Sequence, residues 1–200
     1  MNMKVMWVGL GLVVLIGVVM AVTLLLPGTE KFRGTLYDPA LPAPGIELTK
    51  ADGSSFKLSE QQGEVVLLFF GYTSCPDVCP TTLSELRKIT TELGEDASRV
   101  QVVYITVDPD RDTPQKVQEY ASLFSPSFIG LSGSLEELEP IWKEYGVFRE
   151  IEKTADSENG YLVTHTARVY LIDQKGDLLL SYSFGTPTDD ILHDVKLALQ

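Results

Sequence analysis

Two short, almost continuous apolar runs limit what this chain can fold into. They lie at residues 64–71 (EVVLLFFG) and 99–107 (RVQVVYITV). Runs of this length without polar alternation are typical of strands that a parallel sheet buries on both faces. Each run is followed by apolar residues at helical spacing, as in strand–helix units whose helices cover such a sheet. The sequence therefore predicts an α/β domain.

The rest of the chain fits the same architecture. Apolar spacing and capping residues predict helices from about 77 to 94, from Thr113 onward, from Ser134 to Gly146 despite Pro140, and from 186 onward. Strands are predicted at 162–173 and 177–184, joined by a turn into an antiparallel hairpin. Strands that alternate with helices and end in a hairpin and a helix predict a thioredoxin-like fold, with a central mixed sheet covered by helices on both faces.

The N-terminal residues 5–26 form an apolar segment interrupted only by Thr23 and glycines. A helix of this length reaches roughly 33 Å at about 1.5 Å per residue, which is enough for a bilayer core. A cleaved export signal is the competing interpretation, although its apolar region would span only about 7–15 residues. We therefore expect an N-terminal transmembrane anchor at 1–27, a proline-containing tether at 28–44 and a folded domain at 45–200.

The orientation of this anchor does not follow from charge. Lys4 precedes the apolar segment, whereas Lys31 and Arg33 follow it, so basic residues flank both ends. No leader rich in arginine and serine precedes the segment, which favours a bacterial export anchor over a mitochondrial transit peptide.

Net charge and cysteine content narrow the function classes. The 16 basic and 28 acidic residues give a formal charge of −12, which would repel phosphate backbones and makes nucleic-acid binding improbable. The chain has only two cysteines, so it is not a disulfide-stapled miniature domain. The cysteine pair therefore needs an explanation in local chemistry.

Cys75 and Cys79 lie in the segment GYTSCPDVCP, directly after the first apolar run. This position places them at a strand-to-helix junction, where the positive end of the helix dipole favours thiolates. Soft thiolates prefer Cu(I) among first-row ions, and imidazole binds copper in either oxidation state. A structural disulfide, or two packed thiols, remains an alternative explanation of the spacing.

His165 is the candidate for a third donor, since its predicted strand should run near the cysteine loop. A lone histidine on a strand is more often only a hydrogen-bonded side chain, and this alternative stays open. Zinc would normally take a fourth protein ligand in a closed site, and none stands out. His193, on the last predicted helix beside Asp194, is interpreted as a surface residue.

Asp108 follows the second apolar run, in the segment VDPDRDTP. The carboxyl ends of sheet strands commonly face a binding crevice, so Asp108 is a candidate to orient a metal ligand from a second shell. Alternatively, Asp108, Asp110 and Asp112 only organise a proline-bounded turn and cap the next helix.

Three segments in order, GYTSCPDVCP, VDPDRDTP and VTHTARVYLID, resemble the Sco/SenC family of copper-binding assembly proteins over about residues 45–200. The resemblance implies a thioredoxin-like domain tethered outside the cytoplasm by a single-pass membrane segment. It also implies copper ligands at Cys75, Cys79 and His165, with Asp108 as the motif aspartate.

The function that the resemblance implies is that of a metallochaperone. Such a protein would bind Cu(I) or Cu(II) and supply it to the binuclear copper centre of cytochrome c oxidase, with the oxidase's copper-binding subunit as partner. Other copper chaperones or thioredoxin-like reductants are further expected partners.

The main alternative is a thiol–disulfide oxidoreductase in which Cys75 and Cys79 are redox-active, reducing ligand cysteines of the oxidase or acting in redox signalling. A thiol peroxidase is a third class, which would need a pocket built for peroxide.

Overall fold

The computed structural model describes Ile16, Met20 and residues 31–153 and 160–200. The chain divides into two compact units, residues 1–31 and 32–200. Except for Ile16 and Met20, the predicted anchor at 1–27 lies outside the described residues. Within the part that is described, no helix is both long enough and apolar enough to span a bilayer.

The unit at 32–200 contains short strands that alternate with helices along much of its length. The strands are β1 (Thr35–Pro42), β2 (Glu47–Thr49), β3 (Ser55–Lys57), β4 (Val65–Gly71), β5 (Val100–Thr106), β6 (Ile129–Leu131), β7 (Arg149–Glu152), β8 (Leu162–His165), β9 (Arg168–Ile172) and β10 (Asp177–Ser183). The helices are α1 (Val78–Glu92), α2 (Pro114–Ser122), α3 (Leu135–Glu144) and α4 (Thr188–Ala198), with 3₁₀ turns at Leu58–Gln61 and Gly94–Arg99.

A six-stranded mixed sheet forms the centre of this unit, in the order β1-β10-β9-β4-β5-β6. The central pairs β4–β5 and β5–β6 are parallel, while β9 and β10 pair antiparallel with their neighbours. Every residue of β4 is buried, as its apolar run predicts. The predicted central mixed sheet with helices is confirmed.

The starts of α2 and α3 agree with the capping residues in the sequence, whereas α1 and α4 begin without a side-chain capping bond. The Thr113 hydroxyl accepts from the Lys116 N–H, and Ser134 and Glu137 form a reciprocal capping box. Pro140 lies inside α3 without ending it. Gly94, with φ of +60°, follows α1 in the left-handed conformation that ends many helices.

The predicted strand at 162–173 is in fact two strands in different sheets. β8 pairs with β7 in a separate two-stranded sheet, whereas β9 belongs to the central sheet. The chain changes partners between two adjacent residues: the Thr166 N–H donates to the Phe148 carbonyl beside β7, and the Ala167 carbonyl accepts from Phe184 beside β10. His165 is the last residue of β8 and lies directly before this break.

Residues 35–42, within the predicted tether at 28–44, form the edge strand β1. β1 pairs antiparallel with β10. Just before it, the buried carboxylate of Asp194 accepts hydrogen bonds from the backbone N–H groups of Arg33 and Gly34 at 2.8–3.0 Å. The His193 ring contacts Asp194 as well, and is only partly exposed rather than a free surface side chain.

Candidate metal centre

The two cysteines lie where the central strand β4 passes into helix α1. Cys75 belongs to the connecting loop, and Cys79 lies in the first turn of α1. The loop is held by the buried carboxylate of Asp112, which accepts from the Thr73 backbone N–H at 2.9 Å and from its hydroxyl at 2.5 Å. The same carboxylate accepts from Thr106 at the end of β5, at 2.8 Å. Asp112 therefore joins the cysteine loop to the sheet.

Cys75, Cys79 and His165 come together at this junction. One ligand atom from each of the three, a sulfur or a ring nitrogen, lies within 4.8 Å of the others. The Cys79 Sγ lies 3.6 Å from His165 Nε2, and the Cys79 backbone N–H points at the Cys75 Sγ over 3.5 Å. Cys79 is fully buried, while Cys75 and His165 are partly exposed, so the cluster opens to solvent on the Cys75 side.

The His165 ring has a defined orientation and tautomer. Its Nδ1 lies 3.1 Å from the Thr166 carbonyl oxygen. A carbonyl oxygen only accepts hydrogen bonds, so Nδ1 carries the proton in this contact. In the neutral ring Nε2 then has a free lone pair and faces the Cys79 Sγ, which is the arrangement of a metal-binding histidine.

The two thiols have opposite protonation preferences. The hydrogen bond from the Cys79 thiol, helped by those from the backbone N–H groups of Asp77 and Cys79, lowers the pKa of Cys75 to about 4 against the effect of burial. The same bond to Cys75, together with burial, raises the pKa of Cys79 well above its usual value. The site therefore favours a thiolate on Cys75 and a neutral thiol on Cys79.

Aromatic rings surround the histidine. The Tyr72 ring packs edge-on against the His165 ring at a centroid distance of 5.8 Å, and Phe69 packs in the same way at 6.4 Å. Burial raises the pKa of Tyr72 to about 12, so its phenol stays protonated at neutral pH. An open groove of ≈ 270 Å³ lies beside the cluster, with Cys75, Pro76, Val163 and His165 among its lining residues.

Asp108 does not belong to the three-residue cluster. Its fully buried carboxylate accepts hydrogen bonds from the Arg111 guanidinium and, at 2.8 Å, from the Tyr161 hydroxyl. The Arg111 guanidinium lies 3.7 Å from the Tyr161 ring centroid and 5.6 Å from that of Tyr72, which in turn packs on His165. Asp108 thus reaches the cluster only through other side chains.

Sequence reasoning missed three residues that support the site. Arg111 and Tyr161 attach the β7–β8 hairpin to the turn after β5, since Arg111 also donates to the Tyr161 carbonyl at 3.0 Å. Asp112 was interpreted only as part of an acidic turn. The proline-bounded run of charges in VDPDRDTP was the available signal, but it did not show which of its residues would be buried.

The donor set agrees with the chemistry of copper. Two thiolates and one imidazole are soft and borderline ligands, which suit Cu(I) and also accept Cu(II). No other group of three or more metal-binding side chains is found among the residues described, and no fourth donor joins this one. A closed zinc site would need that fourth ligand.

The domain is thus a thioredoxin-like α/β domain with a Cys–Cys–His cluster at the junction of a central strand and the following helix. Residues 42–200 match the SCO1/SenC family. The chain belongs to this family.

Solved structures support the assignment. The chain is similar to Bradyrhizobium japonicum ScoI with copper bound, at 35% identity and a TM-score of 0.70, covering 78% of this chain and 99% of that one. It is also similar to a SCO1/SenC family lipoprotein from Bacillus anthracis, at 29% identity and a TM-score of 0.69, with coverage of 85% and 100%. A third similar structure is that of BsSco, in which a disulfide switch was identified. BsSco is a member of the Sco family of cytochrome c oxidase assembly proteins. It has 25% identity, a TM-score of 0.64 and coverage of 83% and 98%.

Proposed function

We propose that this protein binds one copper ion through Cys75, Cys79 and His165 and passes it to a partner protein. The observation that carries the proposal is the convergence of two sulfurs and an imidazole nitrogen within 4.8 Å. The copper-bound ScoI structure, which shares the fold, adds support. Copper is here the cargo of a metallochaperone rather than the cofactor of an enzyme.

The environment of the three side chains suits transfer as well as binding. Cys79 and the Nε2 of His165 face each other from fixed elements, the first turn of α1 and the end of β8. Cys75 is the partly exposed ligand and lines the open groove. A partner's sulfur or imidazole can therefore approach from the groove side, where replacing one donor disturbs the fold least.

The acceptor that we propose is the copper-binding subunit of cytochrome c oxidase, at its binuclear copper centre. Support comes from family membership and from BsSco, whose family is described as cytochrome c oxidase assembly proteins. Asp108 is proposed to act indirectly, by holding Arg111 and Tyr161 and through them the hairpin that ends at His165.

The test is copper titration of the reduced protein under anaerobic conditions, with Cu(I) and Cu(II) in separate experiments. We expect one copper per chain, bound much more weakly after Cys75→Ser, Cys79→Ser or His165→Ala. His193→Ala is the matched control, because its ring contacts Asp194 on α4 and it should leave copper binding unchanged. Equal copper affinity in the wild type and the His165→Ala variant would contradict the three-ligand site.

Thiol–disulfide exchange is the second candidate function, and the lowered pKa of Cys75 favours it. A Cys75 thiolate can attack one sulfur of a target disulfide and release the other as a thiolate. Cys79, once deprotonated, then attacks the Cys75 sulfur, so that the target leaves as a dithiol and this chain retains the disulfide. A thioredoxin-like reductant would have to reduce it again. Rapid exchange that survives His165→Ala, combined with weak copper binding, would make this the leading function.

We further propose that the domain is held at the outer face of a bacterial cell membrane by residues 1–27. The support is the apolar run at 5–26 in the sequence and the similarity to a lipoprotein of the same family. This location would place the copper cluster on the side of the membrane opposite to the cytoplasm.

A further inference from the structure

The hydroxyl of Tyr104 is a buried polar group without a partner. Tyr104 lies within β5 and is 0% exposed, and no hydrogen-bond partner for its hydroxyl exists among the residues that the structure describes. Its ring stacks on the ring of Phe69, with the ring centroids 5.9 Å apart, and the Phe69 side chain has no polar atom. Buried hydroxyls are paired in the great majority of cases, so this exception requires an explanation.

The position of the hydroxyl suggests one. A Cβ atom added to Gly71 would lie 2.7 Å from the Cys79 Sγ and 2.9 Å from the Tyr104 hydroxyl oxygen. Both atoms therefore lie over the same backbone position at the end of β4, where glycine leaves room for them. A phenol is protonated at neutral pH, so the Tyr104 hydroxyl is available as a hydrogen-bond donor.

A neutral thiol sulfur is only a weak hydrogen-bond acceptor, which fits the absence of a bond from the Tyr104 hydroxyl to Cys79. Metal coordination removes a thiol proton and converts the sulfur into an acceptor with lone pairs. A phenol O–H can turn about its C–O bond, so Tyr104 can meet the new acceptor without any movement of the sheet.

We propose that Tyr104 is a positioning residue that donates an O–H···S hydrogen bond to Cys79 when Cys79 is a copper ligand. The inference rests on the proposed copper function and adds a residue to that site. A hydrogen bond to a ligating sulfur withdraws electron density from it, and such contacts tune the metal. The bond should therefore favour Cu(I) over Cu(II).

The experiment compares the wild type with Tyr104→Phe, which removes only the hydroxyl. The full-length chain is reduced, kept anaerobic and titrated with Cu(I) and with Cu(II). We expect the melting temperature of the metal-free protein to be unchanged or higher, because the lost hydroxyl had no partner. The Cu(I) affinity should fall about two- to tenfold, the effect of one typical hydrogen bond. The sulfur-to-copper charge-transfer band of the Cu(II) form should move to longer wavelength.

Tyr170→Phe is the matched control, since Tyr170 is another buried tyrosine of the sheet whose hydroxyl donates to the Tyr145 carbonyl at 2.7 Å. It should lower the melting temperature and leave copper affinity and the charge-transfer band unchanged. An unchanged band and affinity in Tyr104→Phe, with copper still bound by the wild type, would overturn the inference alone. Equal spectral changes in both variants would overturn it too. Failure of the wild type to bind copper would overturn the proposed function, and this inference with it.

Discussion

Cys75 and Cys79 are four residues apart in sequence, yet their surroundings give them opposite chemistry. Cys79 is buried and donates a hydrogen bond to Cys75, and this bond together with burial raises the pKa of its thiol. Cys75 lies just before α1 and accepts hydrogen bonds from the Cys79 thiol and from backbone N–H groups, which lower its pKa to about 4. The site therefore favours one partly exposed thiolate at neutral pH, which can bind a soft metal or attack a disulfide.

This difference predicts how Cys75 reacts as a function of pH. An ordinary thiol reacts with iodoacetamide about tenfold faster per pH unit until the pH approaches its pKa. Cys75 should instead react at a nearly constant rate from about pH 5 upward, because it is already ionised. The measurement is the alkylation rate of the reduced protein by peptide mass spectrometry. Cys79→Ala, which removes the largest cause of the lowered pKa, should restore a strong pH dependence near neutrality.

The same shift also affects folding stability. The folded pKa of Cys75 lies below its ordinary value of 9.0, so the contribution of Cys75 to the stability of the reduced protein is complete above pH 9.0 and is lost as the pH falls toward about 4. A rate of Cys75 alkylation that still rises tenfold between pH 6 and pH 7 would contradict both expectations.

At the scale of elements, the β7–β8 hairpin supplies His165 and is attached to the rest of the domain by a few specific contacts. Arg111 is the main one, because its guanidinium binds Asp108, the Tyr161 carbonyl and the Tyr161 ring together. Its side chain is 14% exposed and that of Asp108 is 0% exposed. Loss of one member of such a buried pair leaves the other as an uncompensated charge.

Arg111→Met should therefore lower the free energy of unfolding by about 3–5 kcal/mol. It should also loosen the hairpin and weaken copper binding through His165. Urea denaturation measures the change in the free energy of unfolding, and hydrogen exchange of the Val163 amide in β8 measures the loosening of the hairpin. Lys88→Met is the matched control, since Lys88 pairs with Glu92 on the exposed surface of α1, where such pairs contribute less than about 1 kcal/mol. An Arg111 variant as stable as this control would show that the hairpin is held by other contacts.

The elements differ in how far the sequence could predict them. The buried strands β4 and β5 and the capped starts of α2 and α3 follow from local patterns, and the structure agrees with them. The division between β8 and β9 could not be predicted, because residues 162–173 have the composition of one strand. The two strands are divided because Thr166 pairs with Phe148 and Ala167 pairs with Phe184. Both partners are distant in sequence.

The same distinction applies to the site. The cysteine pair is a local motif, and His165 could be proposed from the expected course of its strand. The contact between Arg111 and Tyr161 joins residues 50 positions apart, and no local pattern indicates it. Tyr104 was hidden for another reason: within an apolar run it was interpreted only as a core side chain, and its unpaired hydroxyl becomes visible only in three dimensions.

At the scale of the whole molecule, the acidic composition and the apolar N-terminus have different consequences. The chain's net charge of −12 favours solubility and partners with basic surfaces. The apolar run at 5–26 is long enough for a membrane-spanning helix of roughly 33 Å. Acidic side chains add little to the choice of membrane orientation, so the charge of the domain would not hinder export.

These properties together predict that the full chain fractionates with membranes and exposes Cys75 on the outer side. In intact cells of a bacterial host, reduced beforehand and depleted of copper, a membrane-impermeant maleimide should label Cys75 as strongly as it does after permeabilisation. Cys75→Ser should abolish most of the labelling, because Cys79 is fully buried and protonated. A chain that lacks residues 1–27 should leave the membrane fraction. Labelling that requires permeabilisation would place the copper cluster in the cytoplasm and would remove the oxidase's binuclear centre as its acceptor.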